Sequence, residues 1–299
     1  MSQNSDNVKS DIRSWWAQNP MTYGFEHGKT EYVDSDGNTV KIDFNSREFF
    51  EKADEVFYEW NRPRHTQTDR FGKIFDFQRY RGKNVLEVGC GLGCMAMNWA
   101  QHDVNMTAVD LNPVAISQTR RRFELFGLAG DIREADAENL PFADETFDFV
   151  YSWGVLHHTP GTKRTIEEIH RVLKPGGRTG VMLYNRNSFL FRYQVEFIEG
   201  FLNMEKRFLS DVELGSRYGD GERLEGNPHT WPVTTREAHE DLFRQFKNVN
   251  VDVFGTDVPW MVGHWWPGYA ARLPKSWMAA LSRRFGWSLW ITGEKEASR

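Results

Sequence analysis

The chain has 299 residues, of which 39% are hydrophobic and 14% aromatic, enough for one large domain with additions. Its formal net charge of −5 offers no strong basic field to nucleic acid. No apolar run approaches the roughly 20 residues that a membrane helix needs, and the N-terminus lacks the apolar centre of a signal peptide, so we expect a cytoplasmic protein.

The first 80 residues predict a hairpin and two helices. The stretch 31–44 reads as a hairpin that turns at Gly37 with one of its neighbours. Ser46 is suited to cap a helix, and apolar side chains follow it at helical spacing as far as Trp60. A further helix is predicted over about residues 67–77.

From residue 84 onwards, apolar runs alternate with helical periodicity and the turns between them are short. This alternation predicts a parallel sheet with helices on both faces. The rhythm stops after Tyr184, and the last two strands are expected to form an antiparallel pair in the same sheet. Strands are predicted at 84–89, 104–110, 131–137, 147–153, 178–184, 249–255 and 287–295, and helices at 94–102, 112–127, 162–173, 187–208 and 234–246.

We therefore divide the chain into a lid or substrate segment at residues 1–65 and a main domain at residues 66–299. Insertions at about 187–232 and 256–286 interrupt the main domain. Both insertions can lie over the carboxyl edge of the sheet, and residues 215–233 have the composition of a loop.

The stretch "NVLEVGCGLG" places glycines directly after the first strand of the main domain. Turns of this kind hold dinucleotides, nucleoside phosphates or uncharged nucleosides. No Gly-Lys-Ser/Thr follows, which excludes a phosphate-binding P-loop, and the Glu87 carboxylate would repel a pyrophosphate. Cys90 and Cys94 lack a supporting His cluster, so we expect neither a metal site nor a disulfide here.

Two acidic landmarks follow the glycines at the ends of successive strands. Asp110 lies 17 residues after Gly93, where an acid can accept both hydroxyls of a ribose. Asp136 and Ala137 follow the third strand, where they can meet an adenine edge. Together, the glycine turn and these acidic residues predict that the ligand is a nucleoside that carries a cationic amino-acid tail.

Four stretches resemble the successive motifs of class I S-adenosylmethionine-dependent methyltransferases: "VLEVGCGLG", "AVDLNP", "EADAENLPFADETFDFVYSWGVLHHTP" and "RVLKPGGRTGVMLY". They look most like the bacterial small-molecule group that includes the ubiquinone and menaquinone methyltransferases, and the similarity covers roughly residues 70–185. The resemblance implies an α/β fold with a Rossmann-like seven-stranded, mostly parallel sheet and an antiparallel last strand. It also implies S-adenosyl-L-methionine as the cofactor. The implied cofactor-binding residues are Glu87, Gly89, Gly91, Gly93, Asp110, Leu111, Asp136, Ala137, Ser152, Trp153 and Gly154.

Four residues are candidates for catalysis. His157 and His158 stand where members of the family often have a histidine, which either moves a proton or supports the loop. Tyr184 ends the fifth strand of the main domain, where it either forms a hydrogen bond or packs. Tyr23 lies in a glycine-flanked stretch that looks like a lid.

The acceptor is expected to be a small organic molecule, and the atom methylated is left open. Its pocket is predicted where residues 23–27 meet residues 229–231 and residues 258–268. Nucleic-acid and protein methylation are disfavoured because the chain lacks a basic stripe and has "SWGV" after the fourth strand in place of Asn/Asp-Pro-Pro-Tyr/Phe. A non-catalytic binding module is a further alternative.

The aromatic and basic stretch 262–287 allows two interpretations. It can cover the sheet as an amphipathic element, which is the interpretation we favour, or it can lie on a membrane and deliver a lipid or quinone-like acceptor. Membrane contact is accordingly not expected.

Overall fold

A computed structural model describes residues 2–19, 31–33, 37–219, 226–255, 261, 268 and 272–297 of the chain. The chain divides into two compact units. The first unit runs from Arg13 to Tyr151, and the second comprises the residues up to Ile12 and those from Ser152 onwards.

The N-terminal elements are a helix, a hairpin and a second helix. They are α1 at Ser2–Gln18, β1 at Glu31–Val33, β2 at Thr39–Lys41 and α2 at Arg47–Trp60. The predicted hairpin is confirmed, because β1 and β2 pair antiparallel. The predicted cap is confirmed as well, since the Ser46 hydroxyl accepts a hydrogen bond from the N–H of Phe49 at 3.1 Å.

The prediction of a helix over residues 67–77 is wrong. These residues form turns, and a short 3₁₀-helix begins only at Phe77. The Thr66 hydroxyl accepts a hydrogen bond from the N–H of Asp69 at 2.8 Å, which competes with helical hydrogen bonding. Phe71 has a φ of +60°, in the left-handed region that interrupts a right-handed helix.

The strand–helix alternation of the first unit is as predicted. Its elements are β3 at Asn84–Val88, α3 at Cys94–Ala100, β4 at Asn105–Asp110, α4 at Pro113–Phe126, β5 at Asp131–Glu134 and β6 at Phe147–Trp153. β3 pairs in parallel with β4 and with β6, and β4 pairs in parallel with β5. Asn112 caps α4 by accepting a hydrogen bond from the N–H of Val114 at 2.9 Å, and Gly127 ends it with a φ of +66°.

An aromatic cluster forms part of the core of this unit. Trp99 of α3 is fully buried. Its ring centroid lies 5.2 Å from that of Phe75, 5.3 Å from that of Phe149 and 5.7 Å from that of Tyr151. These contacts hold α3 against the sheet and so fix the position of the turn that precedes it.

The second unit contains the remaining elements. They are α5 at Thr162–Val172, β7 at Leu173–Tyr184, a π-type helix at Leu190–Leu202, α6 at Asp211–Gly219, α7 at Thr235–Glu237 with a π-type continuation at Ala238–Leu242, β8 at Lys247–Phe254, α8 at Lys275–Phe285 and β9 at Ser288–Glu294. The prediction of a loop over residues 215–233 is wrong for residues 215–219, which complete α6. Ser210 and Glu213 form a capping box at its start, with reciprocal bonds of 2.8 and 3.3 Å. Gly215 is a poor helix former, which is why the sequence predicted a loop at these residues.

Seven strands form one sheet in the order β5-β4-β3-β6-β7-β9-β8. The last strand, β9, lies between β7 and β8 and is antiparallel to both. The predicted fold class is therefore confirmed. In the part of the chain that the structure describes, no helix is both long and apolar enough to cross a membrane.

Candidate functional site

The glycine turn connects β3 to α3 in the first unit. Gly89, Gly91 and Gly93 have φ angles of +84°, +51° and +73°, which side-chain-bearing residues rarely adopt. A Cβ on Gly93 would lie 2.7 Å from Cγ2 of Thr119, so this glycine also permits close packing. A Cβ on Gly91 would meet nothing within 4 Å, which leaves open space beside the backbone for a ligand.

Asp110 ties the end of β4 to this turn. Its Oδ2 accepts a hydrogen bond from the N–H of Gly91 at 3.0 Å, and its Oδ1 accepts one from the N–H of Asn112 at 2.9 Å. Burial raises the pKa of the Asp110 carboxyl, and these backbone donors oppose that shift. Each oxygen keeps further accepting capacity, which suits the paired hydroxyls of a ribose.

The end of β5 adjoins the end of β4. The N–H of Ala135 donates to the carbonyl of Asp110 at 3.0 Å. Asp136 then folds back on its own loop, because its Oδ1 accepts a hydrogen bond from the N–H of Glu138 at 2.9 Å. Asp136 and Ala137 are half-buried, and Leu111 is half-buried at the neighbouring strand end.

Glu87 differs from the other candidates in its surroundings. Its side chain is buried, and burial raises the pKa of its carboxyl well above the usual range, while the Tyr151 hydroxyl opposes the shift only in part. Its Oε2 has no hydrogen-bond partner among the described residues. Because the ionised form is disfavoured, repulsion of a pyrophosphate is a weaker argument than the sequence suggested. The glycine turn and Asp110 are the stronger guides to the ligand.

The end of α1 lies beside the same strand ends. Asn112 donates a hydrogen bond from Nδ2 to the carbonyl of Trp16 at 2.9 Å, and Arg13 forms a salt bridge with Glu134 at the end of β5. Sequence analysis missed both contacts, since nothing local in the sequence pairs residues about 100 positions apart. The predicted N-terminal lid segment thus has one described part, residues 13–19, that lies near the predicted cofactor residues.

His157 follows β6 in the second unit and is fully buried. Its ring centroid lies 3.7 Å from that of Tyr184 and 4.2 Å from that of His158. Neither ring nitrogen has a hydrogen-bond partner in the described chain. Burial lowers the pKa of His157 well below its usual value, so the ring is neutral at physiological pH. These surroundings favour packing over proton transfer.

His158 is anchored by the loop that sequence analysis singled out around His229. Its Nδ1 lies 3.0 Å from the His229 carbonyl and 3.0 Å from the Thr230 hydroxyl. That hydroxyl donates to Oδ1 of Asn227 at 2.7 Å, so it accepts from His158. The proton of a neutral His158 ring is therefore on Nδ1, and Nε2 carries the basic lone pair.

The segment 227–233 is hydrogen-bonded to the loop that follows β6 and to the last residue of β7. The N–H of Trp231 donates to the carbonyl of His157 at 2.8 Å, and the N–H of Val233 donates to the carbonyl of Tyr184 at 2.9 Å. The Tyr184 ring also contacts Trp287, at a centroid distance of 4.5 Å. Three predicted catalytic residues thus lie together with residues 229–231.

The remaining candidates are distributed as follows. Ser152 is buried, and Gly154 has a φ of +73° with its N–H 3.3 Å from the carbonyl of Met182. The Trp153 ring packs on Phe254 and Trp290, at 5.9 and 5.6 Å between centroids. Tyr23 and the predicted pocket segments 23–27 and 258–268 lie outside the described residues, apart from positions 261 and 268.

A cavity of about 310 Å³ opens in the second unit, and sequence analysis did not identify it. The Arg186 guanidinium lies over the Trp231 ring at 4.7 Å and also pairs with Glu237. The cavity is lined by Arg186, Phe191, Arg192, Glu196, Lys206, Asp211, Leu214, Trp231 and Thr234. The position of Asn185-Arg186 directly after β7 could have indicated this cavity, because residues at the carboxyl end of a parallel strand commonly reach a ligand.

The fold and the glycine turn resemble those of class I S-adenosylmethionine-dependent methyltransferases, and comparison with known proteins agrees. Residues 86–181 match the family described as methyltransferase domain. The chain therefore contains a methyltransferase domain, as the motifs predicted. Domains of this class use S-adenosylmethionine as methyl donor, and the open space at Gly91 and the acceptor atoms of Asp110 fit that group.

Two curated relatives and one solved structure illustrate the similarity. The chain is 37% identical over 118 residues to a phthiotriol/phenolphthiotriol dimycocerosates methyltransferase of Mycobacterium leprae, covering 39% of this chain and 43% of that protein. It is 32% identical over 145 residues to the ubiquinone biosynthesis O-methyltransferase of Pseudomonas aeruginosa, covering 45% and 62%. A SAM-dependent methyltransferase from Methanosarcina mazei shares the fold, with a TM-score of 0.51, 20% identity and coverage of 75% and 99%. The chain thus matches less than half the length of the mycobacterial relative.

Proposed function

We propose that the whole chain is a cytoplasmic enzyme that transfers the methyl group of S-adenosylmethionine to a small organic acceptor by direct displacement. The observation that carries this proposal is the Asp110 carboxylate, which accepts backbone hydrogen bonds from both the glycine turn and the start of α4. This arrangement presents acceptor atoms beside an open glycine backbone, as a ribose requires.

When bound, the cofactor supplies an activated methyl group on a sulfonium. The protein then has to orient the acceptor and exclude water, which can supply most of the acceleration. Where the acceptor must lose a proton, His158 is the better base of the two histidines. Its Nδ1–H is held by the His229 carbonyl and Thr230, so Nε2 is the basic nitrogen of the ring.

We infer that the 310 Å³ cavity takes part of the acceptor. Trp231, Phe191 and Leu214 give it apolar walls. These walls favour an acceptor with an apolar or aromatic body. The names of the curated relatives, which specify phthiotriol dimycocerosates and ubiquinone biosynthesis, support a small-molecule or lipid acceptor. A nucleic-acid acceptor finds no support in the net charge.

Calorimetric titration tests the cofactor assignment. S-adenosylmethionine and its demethylated product should bind, whereas NAD should not. Tight binding of NAD without binding of S-adenosylmethionine would overturn the proposal.

The acceptor is found by incubating the protein with labelled S-adenosylmethionine and fractionated aqueous and lipid cell extracts. Once a labelled product is identified, Trp231→Ala should raise the KM for the acceptor without changing cofactor affinity. Trp60→Ala, which removes an exposed Trp of the first unit, is the matched control. An unchanged KM in Trp231→Ala would place the acceptor elsewhere.

A further inference from the structure

Two elements of the second unit carry most of the exposed large apolar side chains. Ten such side chains are exposed among the described residues, and eight of them lie on α8 or on the segment 190–208. The eight are Phe197, Phe201, Leu202, Met204, Phe208, Trp277, Leu281 and Phe285. Exposure concentrated in this way marks an interaction surface, because scattered single residues are the norm on a free surface.

On α8 the exposed apolar residues form a stripe. Trp277, Leu281 and Phe285 are spaced four residues apart, so they share one face of the helix, and they are 65%, 37% and 36% exposed. No α8 side chain that the structure describes is buried. α8 contacts β8 of the sheet, and residues 262–267 and 269–271 lie outside the described residues, so the expectation that residues 262–287 cover the sheet stays a prediction.

The charged residues of α8 and of the sequence on either side of it are positive. Arg283 and Arg284 lie in its last turn and form no salt bridge with any described residue. The sequence holds no Asp or Glu from residue 258 to residue 293, although the whole chain has a net charge of −5. Such local separation of charge suits an anionic surface.

The 190–202 helix carries a ladder of aromatic rings. Successive centroids from Phe189 through Tyr193 and Phe197 to Phe201 are 5.2, 6.0 and 6.0 Å apart. Exposed Phe208 follows, next to Arg207, which forms no salt bridge within the described chain.

The three acids of this segment are held by partners within the protein, and the first of them, Glu196, forms a salt bridge with Arg192. Glu199 is buried and bonds Gln194 and Asn203 at 2.8 and 2.7 Å. Both oxygens of Glu205 accept from the Tyr218 hydroxyl at 2.9 Å. Aromatic rings and cations therefore dominate what this segment presents to the solvent.

The residues that directly follow α8 contact the region of the 190–202 helix. Asn185 donates a hydrogen bond from Nδ2 to the carbonyl of Gly286 at 2.8 Å. The Trp287 ring lies 6.3 Å from that of Phe191, near the start of the 190–202 helix. Trp287, two residues after the stripe, thus packs near the first residues of the helix that carries the ladder.

We propose that α8 and the segment 190–208 dock on the surface of a bilayer that contains anionic phospholipids. Trp and Phe side chains insert at the level of the headgroups, and Arg207, Arg283 and Arg284 meet the lipid phosphates. The proposal goes beyond the proposed function and does not rest on it, because neither cofactor nor acceptor takes part in docking.

The test is co-sedimentation of the full chain with vesicles, without cofactor. Binding should be strong on phosphatidylcholine vesicles with 30% phosphatidylglycerol, weak on pure phosphatidylcholine, and reduced as salt rises. No binding to the anionic vesicles, or equal binding to both, would overturn the proposal. A salt-insensitive dimer that does not bind vesicles would show instead that a second copy covers this surface.

Variants locate the contact. Arg283→Gln with Arg284→Gln should lower the partition coefficient on anionic vesicles about 30-fold, because each cation near such a surface contributes about one kcal/mol. Trp277→Ser should weaken binding to both vesicle types. The exposed residues Arg62 and Arg236 supply the matched double control, with unchanged binding. Equal effects of the test and control pairs would mean that net charge, and not α8, drives binding.

Discussion

Replacing Asp110 by Asn is the sharpest perturbation of the predicted cofactor site. Each carboxylate oxygen accepts one backbone hydrogen bond, from Gly91 at 3.0 Å and from Asn112 at 2.9 Å. An Asn side chain has a single accepting oxygen, so its amide group would face one of these donors. Loss of one bond to a charged acceptor should cost roughly 1.5–3 kcal/mol of the free energy of unfolding.

Cofactor affinity should fall by a similar amount. If the ribose hydroxyls donate to the two oxygens of Asp110, one acceptor is lost as well, and roughly 1.5–3 kcal/mol corresponds to a Kd about 10- to 150-fold higher. Calorimetry with S-adenosylmethionine measures the Kd, and urea denaturation shows that the variant is folded.

Asp131→Asn provides the matched control for this variant. Asp131 lies at the start of β5 and pairs with Arg133 on the surface, so its replacement should leave the Kd unchanged. A folded Asp110→Asn protein with wild-type affinity would refute the assignment of the ribose to Asp110.

Two further predictions concern buried titratable groups. Burial raises the pKa of Glu87 in the folded state, so the stability that this side chain contributes is lost as pH rises from about 4.5 through that pKa. The Glu87→Gln variant should therefore show a flatter dependence of thermal stability on pH between pH 5 and 8. An unchanged dependence of thermal stability on pH would contradict this. His157→Phe should remain within about 1.5 kcal/mol of the wild type in urea denaturation at pH 7.5, because the ring packs on Tyr184 without hydrogen bonds. His158→Phe should lose roughly 1–3 kcal/mol, because Thr230 and the His229 carbonyl lose their donor, and equal losses in the two variants would show that these contacts do not matter.

The sequence predicted those features that depend on neighbours in the chain. Ser46 and Asn112 cap their helices through residues two or three positions away, so residue type alone identifies them. The positive φ angles of the glycine turn follow from glycine itself. The fold class was accessible because strands and helices alternate through five consecutive elements, from β3 to β5.

Long-range pairs account for much of what could not be predicted. Helical spacing placed Trp60 on the buried face of α2, yet it is 55% exposed, whereas Asp54 is buried. Asp54 pairs with Arg122 of α4 at 2.8 Å, and the two residues are 68 positions apart. Such a partner overrides local patterning and leaves no trace in a short window of sequence.

The position of β9 has a consequence for the order in which the protein can mature on the ribosome. β7 and β8 leave the exit tunnel first, and neither can complete its pairing until β9, synthesised after both, slides between them. Until then two strand edges of the second unit have unpaired backbone groups, and the missing partner of β7 lies more than 100 residues further along the message. Premature termination before Ser288 would therefore release a chain with two unpaired strand edges. Such a chain is prone to aggregation and is expected to bind chaperones.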